Sequence, residues 1–253
     1  MNALIAPALR AAQLQIGREK PAPEKESLIR DMVRSAPDQD CVEDVVEALS
    51  AYPVEALRRV HDYGTKVEVY DFDQGDAVPE YLPTLANPNT LGAYNTQANV
   101  LGLDRDNLAP FVLLHEFAHA LDASLGDLSE TPDWKGAHRF AEATNRVVRP
   151  YAKHDSAEYL AENTAAYLIA DDSLLPLIER GLEEQLGTEG LTEHEYLQMN
   201  QNFCNGRLQR IDPDGHRLVE HMLEAADEMP PVPARPAMTG EQWHIWQQQH
   251  RAA

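Results

Sequence analysis

A chain of 253 residues, 43% hydrophobic and 25% charged, is long enough for one substantial domain with appended segments, and its ordinary globular composition excludes general disorder. With 42 acidic against 21 basic residues the formal charge is -21, a field that repels nucleic-acid phosphates and anionic lipid head groups and removes both from the expected partners. Cys41 and Cys204 form neither a disulfide framework nor a thiolate metal set. A basic start followed by an apolar run is missing, as is any stretch of about 18 apolar residues, so no membrane span is expected. Cytoplasmic residence is the expectation, with export without a cleavable signal peptide as its alternative.

In chain order, the first segment (1–62) reads as short helices over 4–16, 24–33, 42–49 and 54–60, punctuated by Pro21, Pro23, Pro37 and Pro53. Residues 66–70 alternate polar and apolar side chains. Residues 90–94 and 98–103 predict a hairpin turning at Asn95-Thr96-Gln97. The pattern over 108–125 is helical, with Asp106 or Asn107 as N-cap, Pro110 in the first turn and Gly126 just past the end. Helices are predicted over 134–148, 156–170, 173–184, 192–203 and 214–227. Residues 229–236 are proline-rich and should be extended, a linker to a last helix holding Trp243 and Trp246. The expected fold is α+β and mainly helical, with a small sheet and hairpin above the 108–125 helix. The expected division is 1–62, 63–228 and 229–253.

The chemistry concentrates at His115-Glu116-Phe117-Ala118-His119. Two histidines four residues apart on a helix share a face and can reach one metal ion, while Glu116 lies one step round the cylinder. A carboxylate there can take the proton of a water that Zn2+ has acidified. Leu114, Phe117, Ala118 and Leu121 form the apolar stripe of a helix buried in a core. Asp122 can accept from a ligand imidazole or be an exposed helical acid.

A catalytic zinc site takes three protein ligands, and Glu158, opening a later helix, is the chosen third. Asp155 and Glu158 also have the spacing of a capping box, which would occupy Glu158 with backbone donors instead. Glu162, one turn on, is either a supporting acid or an exposed one. Tyr151, on a segment not expected to be regular helix, is the chosen hydrogen-bond donor to an oxyanion, with His154 as the alternative.

These residues resemble the gluzincin zinc metallopeptidases that include the anthrax lethal factor catalytic domain, the Pro-Pro endopeptidases and the Mlc titration factor A peptidases. The shared pattern is an HExxH helix ending in Asp, here His115 to Asp122, followed by a Tyr seven residues before a helix-opening Glu, here Tyr151 and Glu158. Gly92-Ala93-Tyr94-Asn95 and Ala98-Asn99-Val100 are similar to the hairpin before that helix. The resemblance spans roughly 66–185 and implies a zincin-like fold, with His115, His119 and Glu158 as zinc ligands, Glu116 as base and Tyr151 as oxyanion donor. It also implies that an edge strand near 99–103 lines the cleft and pairs with an extended substrate. The Pro-Pro endopeptidases carry an export signal, which is not seen here.

Other patterns carry nothing comparable. His194-Glu195 lacks a second histidine because position 198 is Gln; His216 and His221 read as surface residues. No phosphate loop or GxSxG elbow occurs. The expected activity is zinc-dependent endopeptidase cleavage of a protein or peptide substrate by a Glu-activated, zinc-bound water. Alternatives are a zinc-binding module that sequesters a regulatory protein uncut, a leaderless exported effector protease, or a purely structural metal with a fourth ligand such as Glu162.

Overall fold

The computed structural model describes residues 21–87, 90–169 and 204–250. Helix α1 (Pro23–Met32) starts with proline at its first positions and acidic Glu24 and Glu26 in its first turn, and carries Arg30 in its last turn, the charge order the helix dipole favours. It gives way at once to strand β1 (Val33–Ser35), where a continued helix to 33 was expected. Three residues of strand leave no readable alternation. Helix α2 (Gln39–Leu49) is capped by Asp38, whose Oδ1 accepts from the Cys41 N–H at 2.9 Å. Helix α3 (Val54–Tyr63) ends on Gly64, which holds the left-handed φ of +96° that most side chains avoid.

Strand β2 (Lys66–Tyr70), strand β3 (Gly92–Asn95) and strand β4 (Val100–Asp104) complete a four-stranded sheet of order β1-β2-β4-β3. β1 and β4 run parallel to β2, while β3 pairs antiparallel with β4, Gly92 opposite Leu103 and Asn95 opposite Val100. The predicted hairpin is therefore present. Its edge strand is β3, however. β4 is paired on both sides, so the expected edge at 99–103 is corrected to 92–95.

Helix α4 (Pro110–Ser124) starts on Ala109 without a side-chain cap; both expected caps, Asp106 and Asn107, fall in a 3-10 turn, Arg105–Asn107, before it. Helix α5 (Pro132–Thr144) and helix α6 (Ser156–Leu168) follow, with α6 packed along α4. Helix α7 (Asn205–Ile211), which periodicity did not reveal, leads through Asp212 into helix α8 (Pro213–Ala225). The last is α9 (Gly240–His250). The predicted helices at 4–16, 173–184 and 192–203 lie wholly outside the described residues.

One buried apolar cluster runs from α1, α2 and α3 through the sheet to α4, α6 and α8. Tyr52 and Phe117 meet inside it with ring centroids 4.7 Å apart, and the Tyr52 hydroxyl donates to the Leu114 carbonyl at 2.7 Å, bracing α4 from behind. A smaller cluster joins Trp243 of α9 to Tyr81, Leu82, Leu85, Ala98 and Val100. Between α8 and α9 the proline-rich segment is extended, as predicted, and lies against the body of the protein. Among the described residues no helix is long and apolar enough to cross a membrane. Cys41 and Cys204 are both buried, and no disulfide joins them.

Candidate metal centre

Helix α4 is apolar almost all round, with Leu113, Leu114, Phe117, Ala118 and Leu121 buried, and its histidines and acids line one cleft. His115 and His119 sit on that face one turn apart, Nε2 to Nε2 3.2 Å. Helix α6 brings in the carboxylate. Asp155 caps it, accepting at Oδ1 from the N–H groups of Ala157 and Glu158, each at 2.9 Å. Glu158 does not reach back to close a capping box; its Oε2 stands 3.0 Å from His115 Nε2 and 3.5 Å from His119 Nε2.

His115, His119 and Glu158 thus form a triad able to hold a metal ion. A tetrahedral zinc with ligands at about 2.0 to 2.2 Å separates their atoms by roughly 3.3 to 3.6 Å, close to the three distances seen. Glu158 Oε2 is also a buried oxygen with no hydrogen-bond partner, which is what a carboxylate facing a cation site leaves. The donor set of two imidazoles and one carboxylate suits zinc.

Burial opposes a charge on His115, but the facing Glu158 and Glu162 carboxylates outweigh it and push its pKa up to about 10. Burial acts against ionised Glu158 as well, and the two imidazoles override it, holding its carboxyl well below the usual range.

Glu162 is almost wholly buried. Its Oε1 lies 3.4 Å from His115 Nδ1 and its Oε2 3.7 Å from Arg149 Nε. It backs a ligand rather than being exposed, and it is not among the three groups that converge. Asp122 does neither task expected of it. It is buried, and its carboxylate accepts from Ser129 N at 2.9 Å and Ser129 Oγ at 2.6 Å, closing the turn after α4. A serine seven residues on, presented by the 3-10 turn Leu128–Glu130, gave no sign in the pattern.

Glu116 faces the same cleft beside strand β3. Burial raises its pKa and outweighs the pull of His115 and His119 and, last, of the Tyr94 backbone N–H, each of which favours the carboxylate. A Cβ at Gly92 would stand 3.0 Å from Glu116 Cγ and 2.9 Å from Val112 Cγ1, so only glycine lets strand and helix approach this closely.

Tyr151 lies in the 3-10 helix Pro150–Lys153, half exposed, and its hydroxyl donates to Glu158 Oε1 at 3.2 Å. Burial, with the Glu158 charge second, pushes that phenol up to about 12, so it stays protonated at neutral pH. His154, the alternative donor, is turned to solvent with Nδ1 3.0 Å from Asp155 Oδ2. His216, read as a surface residue, is buried and bonded through Nε2 to Asn205 Oδ1 at 3.1 Å.

The cleft has a volume of about 450 Å³ and is lined by β3, the ligand face of α4, Tyr151 and the start of α6. Tyr94 and Thr96 line it too, although sequence reading gave them no site role.

Searches of protein families and of curated proteins found no match. Among solved structures the chain is similar to the Pro-Pro endopeptidase from Paenibacillus alvei, with a TM-score of 0.49 at 13% identity, over 77% of this chain and 99% of that one. A likeness at that level assigns neither activity nor substrate.

Proposed function

We propose that the protein is a zinc-dependent metalloendopeptidase of the HExxH gluzincin type that hydrolyses peptide bonds of a protein substrate. One observation carries the reading. Two imidazole nitrogens of α4 and a carboxylate oxygen of α6 stand within 3.0 to 3.5 Å of one another on an open cleft, with Glu116 beside them.

Bound by His115, His119 and Glu158, Zn2+ would supply Lewis acidity and bring the pKa of a water towards about 7. Glu116 takes the proton of that water as it attacks the carbonyl carbon and returns it to the leaving amine. Burial, by raising the Glu116 pKa, brings its carboxylate nearer to the strength a base needs at neutral pH. Tyr151 turns its protonated phenol from Glu158 to the carbonyl oxygen as negative charge grows there. Glu162 keeps the proton of His115 on Nδ1 and Nε2 free to ligate. The substrate lies along β3, the strand that edges the sheet beside the cleft. The reaction has no covalent intermediate.

The test is digestion of a proteome-derived peptide library by zinc-loaded protein, with mass spectrometry of the products. Glu116→Gln is expected to abolish cleavage while binding one zinc per chain, and His119→Ala to lose both metal and cleavage. Undiminished cleavage by Glu116→Gln removes the proposed base. No cleavage by the wild type, with zinc bound, favours the sequestering module.

A further inference from the structure

Asn99 is wholly buried in the turn between β3 and β4 and holds a positive φ of +53°. Asparagine tolerates that backbone better than most residues. Its side chain joins three separate parts of the chain. Oδ1 accepts from Thr65 Oγ1 at 2.6 Å and from the Tyr94 hydroxyl at 2.8 Å. Nδ2 donates to the Arg235 carbonyl and, at 3.4 Å, to the Tyr63 carbonyl.

Residues 229–239 pass behind this node as a strap. Arg235 N donates to Tyr63 O at 2.8 Å, Ala237 N to Gly64 O at 3.2 Å and Met238 N to Ala98 O at 2.8 Å. Arg235 Nη1 adds a bond to Thr96 O at 2.9 Å. A Cβ at Gly64 would meet Arg235 O at 3.1 Å and Pro236 Cα at 3.2 Å, so the strap needs glycine there for space as well as for backbone angle. No strap residue lines the cleft.

Of the groups Asn99 holds, only Tyr94 faces the cleft; its strand packs directly on Glu116, where a Cβ at Gly92 would stand 3.0 Å from Glu116 Cγ, and the Tyr94 N–H is directed at the Glu116 carboxylate. We infer that Asn99 is a positioning residue: anchored from behind by the strap, it fixes Tyr94 and so aims Glu116. This rests on the reading of Glu116 as the base. A base misplaced by even 1 Å can cost about a hundredfold in rate, so a node two residues removed from the chemistry has leverage on it.

The test uses the full chain carrying Asn99→Gly, which keeps the backbone angle and deletes the node, or Tyr94→Phe, which deletes one hydroxyl. Both are loaded with zinc. Exchange of the Tyr94 amide hydrogen, followed by NMR, is expected to rise at least tenfold in each variant, while amides in the middle of α4 keep their wild-type rates. Bound zinc should be unchanged. On a peptide the wild type cleaves, kcat should fall about ten- to a hundredfold with KM within threefold.

Wild-type exchange at Tyr94 in the variants overturns the inference, as does raised exchange with kcat within twofold. If the wild type cuts no peptide, the reading of Glu116 as base fails, and the exchange rates alone decide whether Asn99 holds Tyr94. Tyr94→Phe stands as the test should Asn99→Gly not fold.

Discussion

The Tyr151 phenol is held 3.2 Å from a Glu158 oxygen before any substrate arrives, and its raised pKa keeps the proton on it at neutral pH. Replacing it with Phe should lower kcat about 10²- to 10³-fold and leave KM within threefold, because the lost bond strengthens only as charge develops on the oxyanion. Steady-state kinetics with zinc analysis of the same samples checks this, since metal content should not change. The convergence of His115, His119 and Glu158 was legible because the spacing of helical residues brings two histidines to one face and local caps mark where a helix opens. Asp122 was not. Its partner, Ser129, sits in a turn whose path depends on packing against α5 and α6, and no local rule relates the two.

At the level of elements, α6 carries Glu158 in its first turn, so its N-terminus sets the height of the carboxylate above α4. Asp155→Ala removes the acceptor for two backbone N–H groups and should cost about 1 kcal/mol of stability. Denaturant unfolding measures that loss, and a zinc titration on the same variant should show weaker binding as the first turn frays. Helices with strong periodicity and proline or acidic starts were readable to within a few residues. Strand β1 was not, being three residues long and paired in parallel with β2 from a separate part of the sequence. The edge of the sheet was misplaced for a related reason. A hairpin predicts that two strands pair, but which of them stays outermost depends on β2 taking the far side of β4.

For the molecule as a whole, an ion shared by α4 and α6 would clamp the two helices that face each other across the core. Chelating a tightly held zinc should lower the unfolding free energy by roughly 4 kcal/mol when free metal had stood at a thousand times its dissociation constant. A calorimetric scan with and without chelator shows this as a drop in Tm that grows with the zinc first added. The strap could not be foreseen: prolines announced an extended segment, but the carbonyls of Tyr63, Gly64 and Ala98 that receive it are main-chain groups, which any residue would have supplied. The convergence of α4 and α6 has one more consequence, for biosynthesis. The histidines leave the ribosome well before Glu158, and neither helix alone holds the full donor set. On the proposed function, a nascent chain is therefore inert towards itself and its neighbours, and hydrolytic power would arise only once folding has closed the site.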